Sequence, residues 1–109
     1  MLIIGDDSAP RIPLVSLDLQ RNNIGAAGAS VLAQALQSNK TLRSLWLSHN
    51  CIYDAGLAEV STALRTNNTL RDLYLDHNYI TANGAACLGA GLFNNVGLEK
   101  LSLVFFFNT

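Results

Sequence analysis

Leu42-Arg43-Ser44-Leu45-Trp46-Leu47-Ser48-His49-Asn50-Cys51-Ile52 decides the fold. Within it Leu45, Trp46 and Leu47 alternate in direction, the period of a strand with Leu45 and Leu47 turned inward. The same spelling returns on both sides: LVSLDLQRNNI from Leu14, LRDLYLDHNYI from Leu70 and LEKLSLVFFFN from Leu98. Leu14, Leu42, Leu70 and Leu98 each follow the last by 28 residues. A fixed period of this size is the mark of a repeat architecture.

Between the strand segments further columns align: Gly28, Gly56 and Gly84, then Leu32, Val60 and Leu88, then Leu36, Leu64 and Leu92, then Asn39, Asn67 and Asn95. Gly56, Val60, Ala63 and Leu64 follow the i, i+4, i+7, i+8 spacing of a helix stripe. Each unit is therefore a short strand, a turn, a helix and a return. One unit cannot bury its apolar face alone, whereas units stacked in register share one core. The predicted fold is an α/β right-handed solenoid, with parallel strands on the concave side and helices on the convex side. Residues 1–13 read as an N-terminal extension, 14–41, 42–69 and 70–97 as full repeats, and 98–109 as a partial one.

The ends depart from the pattern. Ser8 stands where Leu36, Leu64 and Leu92 stand, and Phe106 replaces the expected Asn. Val104-Phe105-Phe106-Phe107 reads as an uncapped aromatic edge, an association hazard. These features lead us to expect a piece of a larger repeat protein, or a chain that self-associates through its C-terminal end.

Asn22, Asn50 and Asn78 recur where the chain must bend inside the stack. Buried backbone groups need partners there, and an amide both donates and accepts, so a column of Asn can bridge successive turns. Asp54 and Thr81 read as helix N-caps, and repeat one offers only Gly25 nearby. Gly25, Gly28, Gly84, Gly89 and Gly91 fit helix starts and close helix packing. Asn39, Asn67 and Asn95 fall just past the helix ends, where a left-handed residue often closes the last turn. Asn39-Lys40-Thr41 and Asn67-Asn68-Thr69 also match the glycosylation pattern, but the recurring Asn favours the turn role.

The core LxxLxLxxNxI, followed by a helix patterned like Gly28–Leu36, resembles the ribonuclease-inhibitor type of leucine-rich repeat. That type occurs in ribonuclease inhibitor, in the C-terminal arms of NOD-like receptors and in the Ran GTPase-activating protein. The resemblance covers Leu14 to Leu103. It implies recognition of another protein on the concave strand face and adjoining loops. Regulation of a small GTPase is the alternative it implies.

Outward strand positions form columns: Ser16, Ser44, Asp72, Lys100; Asp18, Trp46, Tyr74, Ser102; Gln20, Ser48, Asp76, Val104; and, at the strand exit, Arg21, His49, His77, Phe105. Trp46 and Tyr74, flanked by Asp18, Asp72 and Asp76, resemble an interface hot spot and suit a partner with basic groups. They could instead simply cover the sheet by packing on each other. His49 and His77 stack in one column and complete the candidate partner-binding set. No third ligand converges on them, so no metal site is expected.

Formal charge is −1, and no basic cluster points to nucleic acid or an anionic membrane. No run approaches the ~20 apolar residues of a membrane span. Met1 to Pro10 lacks a signal-peptide pattern, and Cys51 and Cys87 occupy different repeat positions, so free thiols in the cytoplasm are expected. No nucleophile elbow, phosphate-binding loop or CxxC appears, so neither enzyme activity nor a cofactor is expected.

Overall fold

A computed structural model describes residues 13–104. Seven elements alternate: β1 (Ser16–Asp18), α1 (Gly25–Ser38), β2 (Ser44–Trp46), α2 (Tyr53–Leu64), β3 (Asp72–Tyr74), α3 (Ala82–Leu92) and β4 (Lys100–Ser102). The strands form one parallel sheet in the order β1-β2-β3-β4. Register follows the 28-residue period: Leu17 pairs with Leu45, Leu45 with Leu73, and Leu73 with Leu101. The predicted α/β solenoid is the observed fold. The N-terminal extension up to residue 12 and the Phe105–Phe107 run lie outside the described residues.

Leucine columns from strand and turn meet the helix stripe between the two layers. Leu45, Leu47, Ile52, Leu57, Val60, Leu64, Leu70, Leu73 and Leu75 are all at most 1 % exposed. Burial falls off along the stack: Leu17 is only half-buried and Leu101 is 37 % exposed. Each repeat is covered by its neighbours, so the inner repeats hold the driest core.

Helices pack closely because small residues face them. A Cβ on Gly56 would lie 3.1 Å from both the Ala26 Cα and the Ala29 Cβ, and one on Gly91 would lie 2.4 Å from the Ser61 carbonyl oxygen. Gly89, grouped with them from sequence, is exposed with nothing within 4 Å of that position. Packed helices stand ~8–10 Å apart and paired strands ~4.8 Å, so the stack fans open on the helix side and the sheet lies on the inside of the curve.

The asparagine column does what its place in the repeat requires. Asn50 Oδ1 accepts from the N–H of Asn22 (2.8 Å) and Ile24 (3.3 Å), while its Nδ2 donates to the carbonyls of Leu19, Leu47 and Ser48. Asn78 repeats this one unit on, with Asn50 and Ile52 as donors and Leu47, Leu75 and Asp76 as acceptors. Left-handed residues make this possible. Arg21, His49 and His77 (φ 58–59) precede the Asn, and Asn23, Cys51 and Tyr79 (φ 51–58) follow it. Asn23 and Cys51 each sit between two N–H groups that converge on one oxygen, an anion-nest-like arrangement. A bulky residue at positive φ costs ~1–2 kcal/mol, which these inter-repeat bonds offset.

A second ladder forms at the return. Asn67 is 1 % exposed; its Nδ2 donates to the carbonyls of Leu36 and Asn39, and its Oδ1 accepts from the N–H of Thr69 and Leu70. Asn95 does likewise with Leu64, Asn67, Gly97 and Leu98. The turn role of these asparagines stands, and the Asn67 amide nitrogen is inside the stack, away from glycosylation. The left-handed backbone expected there is absent: Asn39 is extended (φ −74°, ψ 131°), because the side chain rather than the main chain closes the turn.

Thr81 caps α3 as expected, its hydroxyl accepting from the Asn83 N–H. Asp54 does not cap α2, which starts at Tyr53 after Ile52 with no side-chain cap. Its carboxylate instead crosses to the next repeat, accepting from the Thr81 N–H at 2.8 Å and from the Thr81 hydroxyl. Gly84 clears its path, since a Cβ there would lie 2.2 Å from the Asp54 Oδ1. The hydroxyl bond, then the N–H bonds of Thr81 and Gly84, outweigh burial and hold the Asp54 carboxyl below its ordinary pKa. A depressed acid stabilises above its unfolded pKa and loses that contribution as pH falls through the folded one. In Asp54→Asn, acid unfolding is expected to lose this component of its pH dependence in the carboxylate range. Superimposable acid-unfolding curves for parent and variant would count against the inter-repeat cap.

Candidate functional site

The sheet register assembles the predicted columns. Asp18 lies beside Trp46, Trp46 beside Tyr74, and Tyr74 beside Ser102. With Leu45 and Leu73 buried inward, Trp46 and Tyr74 emerge from the opposite face, both half-buried. Their rings stack with centroids 5.2 Å apart and planes 3° from parallel. Each ring thus shields one face of the other, and the pair is rigid at little entropic cost.

The three carboxylates are held by neutral donors. Gln20 gives its N–H and side-chain amide to Asp18, Ser44 its hydroxyl to Asp72 at 2.7 Å, and Ser102 its hydroxyl to both oxygens of Asp76 at 2.8 Å. These contacts orient the groups, and none of the donors is itself a charged side chain.

His49 and His77 also stack, 4.4 Å apart and 18° from parallel. Their shared left-handed backbone places them on the same side of successive turns. Burial, with Arg21 and His77 as further causes, lowers the His49 pKa against the pull of Asp76. A histidine with a depressed folded pKa contributes stability that is full above its unfolded pKa and lost as pH falls below it. Stability is expected to decline from pH 7.5 towards 5.5, and His49→Asn, which suits the left-handed backbone, should flatten that decline. Denaturant midpoints across this range check it; an unchanged slope in the variant would count against it. Among the described residues no group of three His, Cys, Asp or Glu side chains gathers as a metal site. Cys51 and Cys87 are free.

Sequence reasoning missed one pair. Tyr53 and Tyr79, each about half exposed, stack at 5.3 Å and 16°. A signal was available, because Tyr53 aligns with Gly25 and Tyr79 with Asn23. Gly and Asn tolerate positive φ, so their columns mark outward turn positions. Three ring pairs thus stack between neighbouring repeats: Trp46–Tyr74, His49–His77 and Tyr53–Tyr79.

A leucine-rich-repeat family model matches residues 12–33, 38–61 and 66–89. The chain belongs to the leucine-rich-repeat family. Among solved structures this leucine-rich-repeat chain is similar to one titled Leiomodin-1 Actin-Binding Site 2 (ABS2), with a TM-score of 0.77 and 22 % identity over 82 % of its own length. It spans 52 % of that protein, and the likeness is one of fold. No curated protein matches this leucine-rich-repeat sequence. No helix among the described residues is long and apolar enough to cross a membrane.

Proposed function

We propose that the chain is a protein-binding module, not an enzyme, that receives its partner on the concave sheet face. The observation that carries this reading is the stacked Trp46–Tyr74 pair standing outward at mid-sheet with carboxylates around it. Asp18, Asp72 and Asp76 form the polar surround, and His49 and His77 extend the surface to the rim. Aromatic anchors inside a polar rim are the usual composition of binding hot spots. A similar fold in a protein titled as an actin-binding site gives precedent for this architecture in protein binding. The ribonuclease-inhibitor subtype and a cytoplasmic setting, supported by the repeat pattern and the free thiols, belong to the same proposal. No observation favours the GTPase-regulator alternative.

In the double variant Trp46→Ala/Tyr74→Ala, affinity for a captured partner is expected to fall by ~2 kcal/mol or more with the fold retained. Calorimetry with the purified partner, beside circular dichroism, reads both. Loss of folding would make the pair structural, and unchanged affinity would move the interface elsewhere.

A second reading, self-association through the C-terminal end, is favoured by Phe93 and Val96 at the close of the third repeat, each 86 % exposed, and by the exposed Leu101 within β4 and Val104 just after it. Light scattering across a concentration series tests it, and a strict monomer at high concentration would rule it out.

A further inference from the structure

We infer that the two outer faces of the Trp46–Tyr74 stack are seats for arginine guanidinium groups of the partner. The inference rests on the concave-face reading above and specifies the chemistry of what that face receives. Rings with parallel planes and centroids 5.2 Å apart must overlap face to face, since rings lying edge to edge could not come so close. One face of each ring is therefore covered by the other. The second face of Trp46 is turned along the column towards Asp18, and that of Tyr74 towards Ser102. Asp and Ser are short beside Trp and Tyr, so each outer face rises as a wall above a low neighbour.

Each outer face has a carboxylate in the neighbouring position. Asp18 is the register partner of Trp46 and is oriented by Gln20. Asp76 is bonded to the hydroxyl of Ser102, the register partner of Tyr74. Each keeps acceptor capacity: Gln20 supplies three contacts to a group with about four acceptor sites, and a hydroxyl carries a single proton. A planar cation laid flat on the wall can direct its edge N–H groups to the carboxylate. Guanidinium has that shape, stacks on aromatic faces and is weakly hydrated, whereas an ammonium has no plane to stack.

The charge of the face agrees. The twelve outward strand positions carry Asp18, Asp72 and Asp76 against Lys100 as the one cation. A basic segment is attracted and an acidic one repelled. The occupant assigned is thus an arginine-bearing segment of a partner protein.

Trp46 is the only tryptophan in the chain, so its emission reports directly on the first seat. A Gly/Ser hexapeptide with two arginines is titrated into the full chain at low salt, beside versions carrying citrulline, lysine or leucine. The arginine peptide is expected to shift Trp46 emission saturably and to bind at least about tenfold more tightly than the isosteric, neutral citrulline peptide. Asp18→Asn should weaken the arginine peptide about fivefold or more and leave the leucine peptide unmoved. Citrulline or lysine titrating like arginine would overturn the assignment. So would a leucine peptide that shifts Trp46 while arginine does not, although the concave face would then remain a binding platform. If all four peptides are silent, the guanidinium seats fall, and the Trp46→Ala/Tyr74→Ala calorimetry still decides the platform separately.

Discussion

Asn78→Ala is expected to lower the free energy of unfolding by about 3–5 kcal/mol, a large share of a stability that for such domains is ~5–15 kcal/mol. The side chain is fully buried. Its removal strips acceptors from the Asn50 and Ile52 N–H groups and a donor from the Leu47, Leu75 and Asp76 carbonyls. A buried group left without its partner costs ~1–3 kcal/mol, and water reaches these turns poorly between two repeats. Asn22→Ala is the matched control. Asn22 is exposed and its amide donates to the Gln20 carbonyl, so its loss should stay within about 0.5 kcal/mol. Urea unfolding of both variants reads the difference. Equal effects would mean that the column does not carry the inter-repeat bonding assigned to it.

Leu73→Ala should cost a similar ~3–5 kcal/mol for a different reason. Leu73 is fully buried, between Leu45 and Leu101 in the strand register. Truncation leaves a cavity where the sheet and helix layers meet, and both neighbouring repeats lose contacts with it. The equivalent change at Leu17, half-buried at the first strand, should cost roughly 1–2 kcal/mol because that site can relax towards solvent. A gradient from Leu17 to Leu73 is the signature of a core that deepens from the end of a stack towards its middle. Identical losses at the two sites would indicate a single isotropic core instead.

Much of the candidate face was legible because strand register and sequence period coincide. Once Leu17, Leu45, Leu73 and Leu101 share a row, Asp18, Trp46, Tyr74 and Ser102 must share the next. The neighbour relation of His49 and His77 follows in the same way. The angle at which the rings meet needed coordinates: spacing brings two rings together but does not choose between face-to-face and edge-on contact.

The sequence alone therefore determined the main repeating features: the strand–helix alternation, the order of the strands, the leucine interior and the bridging task of Asn50 and Asn78. Equivalent positions 28 residues apart occupy equivalent surroundings, so a pattern in one dimension carries over to the stack. Tertiary structure alone decided the contacts that cross columns. Tyr53 meets Tyr79, 26 residues on, and Asp54 reaches Thr81, 27 on, to join one helix start to the next. Such diagonal pairs depend on which way each left-handed turn aims its side chain, and no periodicity records that direction.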